Sequence, residues 1–196
     1  MKILFGVLSY LFGAIPTGFL AYRLGGLGDI REHGSRTTGA TNVMRLRGWK
    51  LALPVALLDI LKGFLPAFLA IRVFHDPRLA LGASFLAIVG HCFPVYIRFR
   101  GGKGVATTVG AAAVIGPLPL LISAGLFVVV VGLTRYVSLG SMLAVAVFPF
   151  LALVLGAGAG TAVWGAAVAA LVVFQHRGNI DRLLSGRERK LGEKAE

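Results

Sequence analysis

Seven apolar runs separated by short polar and glycine-rich segments organise this chain: residues 3–24, 51–71, 79–93, 105–115, 118–133, 142–155 and 161–174. A helix needs about 20 apolar residues to cross a hydrocarbon core of about 30 Å, so the run at 105–115 is too short to cross unaided. Pro117 and Pro119 follow it at once. Joining it to the next run would put the basic segments before and after on opposite sides of the membrane, whereas ending it at the prolines keeps them on one side. The pattern therefore predicts an all-α integral membrane protein of seven transmembrane helices, with short helical or loop segments at one face. A single multi-span domain over residues 1–196 is expected. Pro16 is expected to kink the first helix. Asp59 and Lys62 lie three apart on one face of the second, where a buried pair offsets two costly charges, and a brace between helices is their expected role.

Composition agrees with this setting. With 57% hydrophobic residues, 14% charged residues and a mean hydropathy of +0.83, the chain is too apolar for a soluble domain of its size. Met1 and Lys2 ahead of an apolar run resemble a signal peptide, but the run is long and further spans follow, so it reads as the first transmembrane helix. A formal charge of +12 suggests nucleic acid. The cations, however, sit in short segments between apolar runs. Sixteen of the twenty, Lys194 included, fall on the side of the C-terminal tail, leaving Lys2, Arg72 and Arg78 on the other side and Lys62 inside the membrane. The positive-inside bias then predicts a cytoplasmic C-terminus and an N-terminus outside, with no nucleic-acid partner.

Four polar segments share the cytoplasmic side in this topology. The densest is GHCFPVYIRFRGGKGVATT, residues 90–108, with His91, then Arg98, Arg100 and Lys103, and Gly101, Gly102 and Gly104 around the lysine. Glycines admit close approach, so successive N–H groups and a lysine can cradle an oxyanion. It is not a Walker A loop, because Gly104 stands where Ser or Thr is required. The segment at 25–50 brings Ser35, Thr37, Thr38, Thr41, Asn42 and Arg45, with GATNVMR reading as a short helix whose N-terminus and arginine suit a phosphate. Ordinary capping with a positive-inside arginine is an equal reading there. For Ser138 and Ser141 at the sixth span, capping is the favoured reading. In the tail, His176 and Asn179 share a helical face, while His176 and Asp181 form an H-x-x-x-x-D pattern that six residues easily produce by chance. His33 and His75 read as loop residues, and the four histidines show no zinc-type spacing, so no metal is expected. Cys92 is the only cysteine and reads as a packed thiol, since adjacent His91 and Cys92 do not face each other on a helix.

Together these segments resemble the bacterial acylphosphate-dependent glycerol-3-phosphate acyltransferases, the PlsY family. The resemblance rests on DIREHGS with GATNVMR, the D-x-x-K-G of Asp59, Lys62 and Gly63, GHCFPVYIRFRGGKGVAT, RYVSLGS and HRGNIDRLLSGRERKLG, and it covers essentially the whole chain. It implies transfer of a fatty acyl group from acyl phosphate to the sn-1 hydroxyl of glycerol 3-phosphate, giving lysophosphatidic acid and inorganic phosphate. No cofactor, no acyl-enzyme and a monomer in the bacterial cytoplasmic membrane are expected. On matching positions it implies a polar pocket lined by Ser35, Arg45, Lys103, Ser141, His176 and Asn179. Thr41, Asn42, His91 and Ser138 would contact substrate, with the N–H groups of Gly101, Gly102 and Gly104 on a phosphate. Proton removal falls to a substrate phosphate, with His91 or His176 as the competing base. The family usually has Gly and Asn where this chain has Arg36 and Thr37, and Thr37 keeps a polar group. An anion transporter with the same basic segments as a funnel is the alternative from another class.

Overall fold

The computed structural model describes residues 1–193, so Lys194 lies outside the described residues. Among these are ten α-helices: α1 (Lys2–Gly13), α2 (Thr17–Leu24), α3 (Ala40–Arg47), α4 (Trp49–Arg72), α5 (Pro77–Cys92), α6 (Val105–Ile115), α7 (Pro117–Thr134), α8 (Val137–Val154), α9 (Ala159–Gln175) and α10 (Arg177–Leu184). Local chemistry accounts for their ends. Pro16, which has no N–H to donate, stands at the break between α1 and α2. Asp76 caps α5 by accepting from the Leu79 amide at 3.0 Å, with Pro77 opening the helix, where its missing N–H is harmless. The Lys2 ammonium donates to the other Asp76 oxygen at 2.6 Å.

Among the described residues, five segments are long and apolar enough to cross a membrane: Lys2–Leu24, Trp49–Arg72, Pro77–Ile97, Pro117–Thr134 and Val137–Val154. A sixth arises if α9 and α10, bent by 60°, are one span. The expected count of seven differs chiefly at α6, whose 11 residues rise about 16 Å, half the thickness of a hydrocarbon core. Leu121, Val128, Phe150 and Val163 are all more than 60% exposed on the outer faces of their helices. Such bare hydrocarbon suits lipid.

The described chain divides into two compact units, 1–111 and 112–193, with the division inside α6. The first unit packs through small residues that bring backbones together. A Cβ on Gly13 or Gly90 would overlap the Ala87 or Tyr10 backbone between α1 and α5, and one on Gly63 or Gly110 would overlap the Thr107 or Ile60 carbonyl between α4 and α6. Phe19, Tyr22, Ile30, Val43, Val55 and Ile97 form a buried cluster that supports the polar segment between α2 and α3. Asp29 holds the Arg31 guanidinium through both of its oxygens, and Arg31 Nη1 donates to the Ile97 carbonyl at 2.9 Å, fastening this segment to the loop after α5. The guanidinium keeps the Asp29 carboxyl below its ordinary value, and Arg31 is raised in return by the same hydrogen bonds.

In the second unit, Phe148 of α8 meets Trp164 of α9 edge to face at 5.7 Å, and Gly165 leaves room for the Phe148 ring. The chain beyond α10 turns back, where Arg135 and Leu191 exchange hydrogen bonds of 2.7 Å: the Leu191 amide donates to the Arg135 carbonyl and Arg135 Nη2 to the Leu191 carbonyl.

Candidate active site

In the first unit, the loop before α3 is shaped by Asn42, which is 1% exposed. Its Oδ1 accepts from the Ser35 amide at 2.9 Å, and its Nδ2 donates to the His33 and Thr37 carbonyls at 3.2 and 2.9 Å. Both amide protons are therefore used inside the loop, so Asn42, expected at substrate, shapes the turn that presents Ser35. The Ser35 and Thr37 hydroxyls lie 3.0 Å apart, so the departure at Thr37 keeps a polar group against Ser35. Arg36 adopts φ 57°, the left-handed region that favours glycine, which gives a physical reason for the family's usual Gly there. GATNVMR is helical as expected, but its N-cap is Gly39 without a side-chain cap, and Arg45 falls in the last turn. Thr41 and Arg45, four residues apart, share a face of α3.

The glycine loop, expected on a phosphate, folds back onto the helix before it. The Gly101 amide donates to the Cys92 carbonyl at 3.2 Å and the Gly102 amide to the His91 carbonyl at 3.1 Å. These two N–H groups fold the loop back onto the end of α5 and are engaged there. Gly104, at φ 85°, directly precedes α6, whose positive end faces back along the chain toward the loop. His91 is 7% exposed and lies beneath the loop, where a Cβ on Gly102 would overlap its ring. Cys92 is buried, the packed position expected.

In the second unit neither serine caps α8. Ser141 Oγ donates to the Val137 carbonyl at 2.8 Å, one turn back, and Ser138 Oγ donates to Glu188 Oε1 at 2.8 Å. Glu188 Oε1 also accepts from Asn179 Nδ2 at 2.6 Å, and Oε2 accepts from Arg182 Nε at 2.8 Å. Ser138, Asn179 and Glu188 are each under 10% exposed. Burial works against the Glu188 carboxylate, but the hydrogen bonds from Ser138, Asn179 and Arg182 outweigh it and hold the group below its ordinary value. Sequence reasoning missed Glu188. The available signal was a lone acid inside the basic run Arg187, Arg189 and Lys190.

His176 is 3% exposed at the junction of α9 and α10. Its Nδ1 lies 2.7 Å from the Val172 carbonyl. A carbonyl only accepts, so Nδ1 carries the proton and the neutral ring has its lone pair on Nε2. Asp181 is exposed, five residues along from buried His176, and the H-x-x-x-x-D pattern gains no support.

Residues 3–186 match the family described as glycerol-3-phosphate acyltransferase. The chain belongs to the glycerol-3-phosphate acyltransferase family. Members bearing that name include one from Thermoanaerobacter pseudethanolicus, 39% identical across 99% of this chain and 98% of its own, and one from Brucella anthropi, 43% identical across 96% and 92%. Two crystal structures of the integral membrane acyltransferase PlsY, also called YgiH, are similar. Its glycerol 3-phosphate form has a TM-score of 0.92 at 36% identity over 97% of this chain and 96% of that one. Its lysophosphatidic acid form has a TM-score of 0.90 at 35% identity over 97% and 95%. The chain is thus an acyltransferase of phospholipid synthesis and a multi-pass integral membrane protein, and the transporter alternative is set aside.

Proposed function

We propose that this acyltransferase moves a fatty acyl group from acyl phosphate to the sn-1 hydroxyl of glycerol 3-phosphate, giving lysophosphatidic acid and inorganic phosphate. The observation that carries the acceptor and product is the similarity to PlsY in its glycerol 3-phosphate and lysophosphatidic acid forms. For the donor, the glycine loop with Lys103 suits a small phosphate headgroup whose alkyl tail stays among the spans. The glycerol hydroxyl oxygen attacks the acyl carbonyl carbon, the bond from that carbon to the phosphate oxygen breaks, and phosphate leaves. Acyl phosphate is an activated mixed anhydride, so the protein mainly positions it and stabilises developing charge.

Direct transfer fits the state of the candidate nucleophiles. Cys92 is buried, and Ser141 donates to a backbone carbonyl. Ser138 faces Glu188, but a carboxylate held below its ordinary value by three donors is a poor base for activating a hydroxyl. We assign phosphate contacts to Ser35, Arg45 and Lys103 of the first unit and substrate contacts to Ser141, His176 and Asn179 of the second. A substrate phosphate takes the hydroxyl proton, with Nε2 of His176 as the competing acceptor. The proposed topology has seven spans, with the short α6 beginning below the membrane surface, and puts the C-terminus and active site in the cytoplasm. Purified protein in detergent is given glycerol 3-phosphate with acyl phosphate or acyl-CoA side by side. Phosphate release and lysophosphatidic acid with acyl phosphate alone are expected; acylation from acyl-CoA alone would overturn the assigned donor.

A further inference from the structure

Within the first unit, Asp59 of α4 is 1% exposed in the middle of an apolar helix. Its Oδ1 accepts from the Thr17 hydroxyl of α2 at 2.5 Å and from the Lys62 ammonium at 2.6 Å, and lies 3.5 Å from His91 Nδ1 of α5. Lys62 Nζ also donates to Thr17 Oγ1 at 3.0 Å, so the lysine neutralises the carboxylate and the hydroxyl joins the two. The pair is formed within one helix, while its ties through Thr17 and His91 reach two others. The next residue, Gly63, is where α6 closes on α4 at the Thr107 carbonyl. The D-x-x-K-G segment therefore touches both elements that flank the glycine loop: α5, which leads into it, and α6, which leaves it.

The contact that matters for chemistry is the one at His91. One face of its ring environment is Asp59; Gly102 meets its Nε2 edge so closely that a Cβ there would overlap it. With Nδ1–H turned toward the carboxylate, the ring has one orientation, and the loop is laid on it by the hydrogen bonds from the Gly101 and Gly102 amides to α5 carbonyls. Lys103 follows directly. We infer that Asp59 is a positioning residue for the acyl-donor loop, acting through the His91 ring on the placement of Gly102 and Lys103. This rests on the assignment of that loop to the donor phosphate. A plain brace between helices would hold the fold without distinguishing one substrate from the other, whereas a carboxylate acting through His91 reaches the donor loop first.

The test uses the full chain in detergent and compares wild type, Asp59→Asn and the double variant Asp59→Asn with Lys62→Met, which removes the ammonium that the single variant leaves unpaired. Asp59→Asn is expected to raise KM for acyl phosphate roughly 10- to 100-fold while KM for glycerol 3-phosphate stays within about twofold. The double variant is expected to regain thermal stability and keep the raised donor KM. Return of the donor KM to wild type in the double variant, or an equal rise in both KM values, would overturn the inference. Hydrogen exchange of the loop peptides spanning 99–108 is read on the same proteins and needs no substrate. Faster exchange in both variants is expected, and unchanged exchange counts against the inference. If wild type turns over no acyl phosphate, the donor assignment fails by itself, and the exchange result still judges the positioning role.

Discussion

Asn179 Nδ2 donates to Glu188 Oε1 at 2.6 Å, and this bond ties a residue implied in substrate contact to an acid nine positions further along. Ser138 and Arg182 complete the clip. Glu188→Ala would take this acceptor from the buried Ser138 and Asn179 and from the partly exposed Arg182, a loss on the order of 2–3 kcal/mol. Glu188→Gln keeps one acceptor oxygen and is expected to lose less. Thermal unfolding in detergent checks the order Ala below Gln below wild type, and activity should fall in the same order because the Asn179 amide loses its fixed orientation.

The clip also predicts an acid limit. Glu188 is held below its ordinary value of 4.5, so its contribution is fully present above that pH and disappears as pH falls through the lower folded value. Wild type is expected to lose thermal stability more steeply than Glu188→Gln as pH falls below 4.5. Parallel curves for the two proteins would contradict the assignment.

Much of the architecture was legible in the sequence because lipid demands long apolar helices, and their ends are marked by Pro16, Asp76 with Pro77, and Pro117. The count of spans was less legible: α6 has the composition of a span and half its length, and composition says nothing of depth. Ser35 and the glycine loop stood out because hydroxyls, glycines and a lysine interrupt apolar runs. What their neighbours do did not, because it depends on which polar atoms meet in space. The amides of Gly101 and Gly102 are engaged inside the fold, and Asn42 shapes the loop. Glu188 looked like one charge in a mixed tail because its partners are contributed by α8 and α10.

Asn42→Ala should loosen the Ser35 turn. It removes three hydrogen bonds and leaves the Ser35 amide and the His33 and Thr37 carbonyls without this partner. A loss of roughly 2–4 kcal/mol is expected. Asn42→Asp, which keeps an acceptor for the Ser35 amide but turns a buried carboxylate oxygen on the His33 and Thr37 carbonyls, is expected to be at least as destabilised as alanine in thermal unfolding.

Arg36 offers the opposite case. Its φ of 57° disfavours a side chain with a Cβ by roughly 1–2 kcal/mol, and glycine's extra freedom in the unfolded chain offsets about half of that. Arg36→Gly is therefore expected to stabilise by up to about 1 kcal/mol without reducing activity. A drop in activity would show instead that the guanidinium itself contributes to the reaction.

The sharpest separation of mechanisms comes from His176 and Asp181. The buried His176 ring has Nδ1–H on the Val172 carbonyl, which orients it, while Asp181 is exposed. A base steered by Asp181 requires Asp181→Ala to be about as damaging as His176→Ala, since loss of an orienting acid typically lowers rate by orders of magnitude. The geometry predicts otherwise: phosphate release from acyl phosphate should fall at least about 100-fold in His176→Ala and by a comparable factor in Lys103→Ala, while Asp181→Ala stays within about threefold. The pH profile of the remaining activity then assigns the proton. If Nε2 of His176 accepts it, the decline of the wild-type rate toward acid pH should be absent from His176→Ala. If a substrate phosphate accepts it, that decline should persist in the residual rate of His176→Ala.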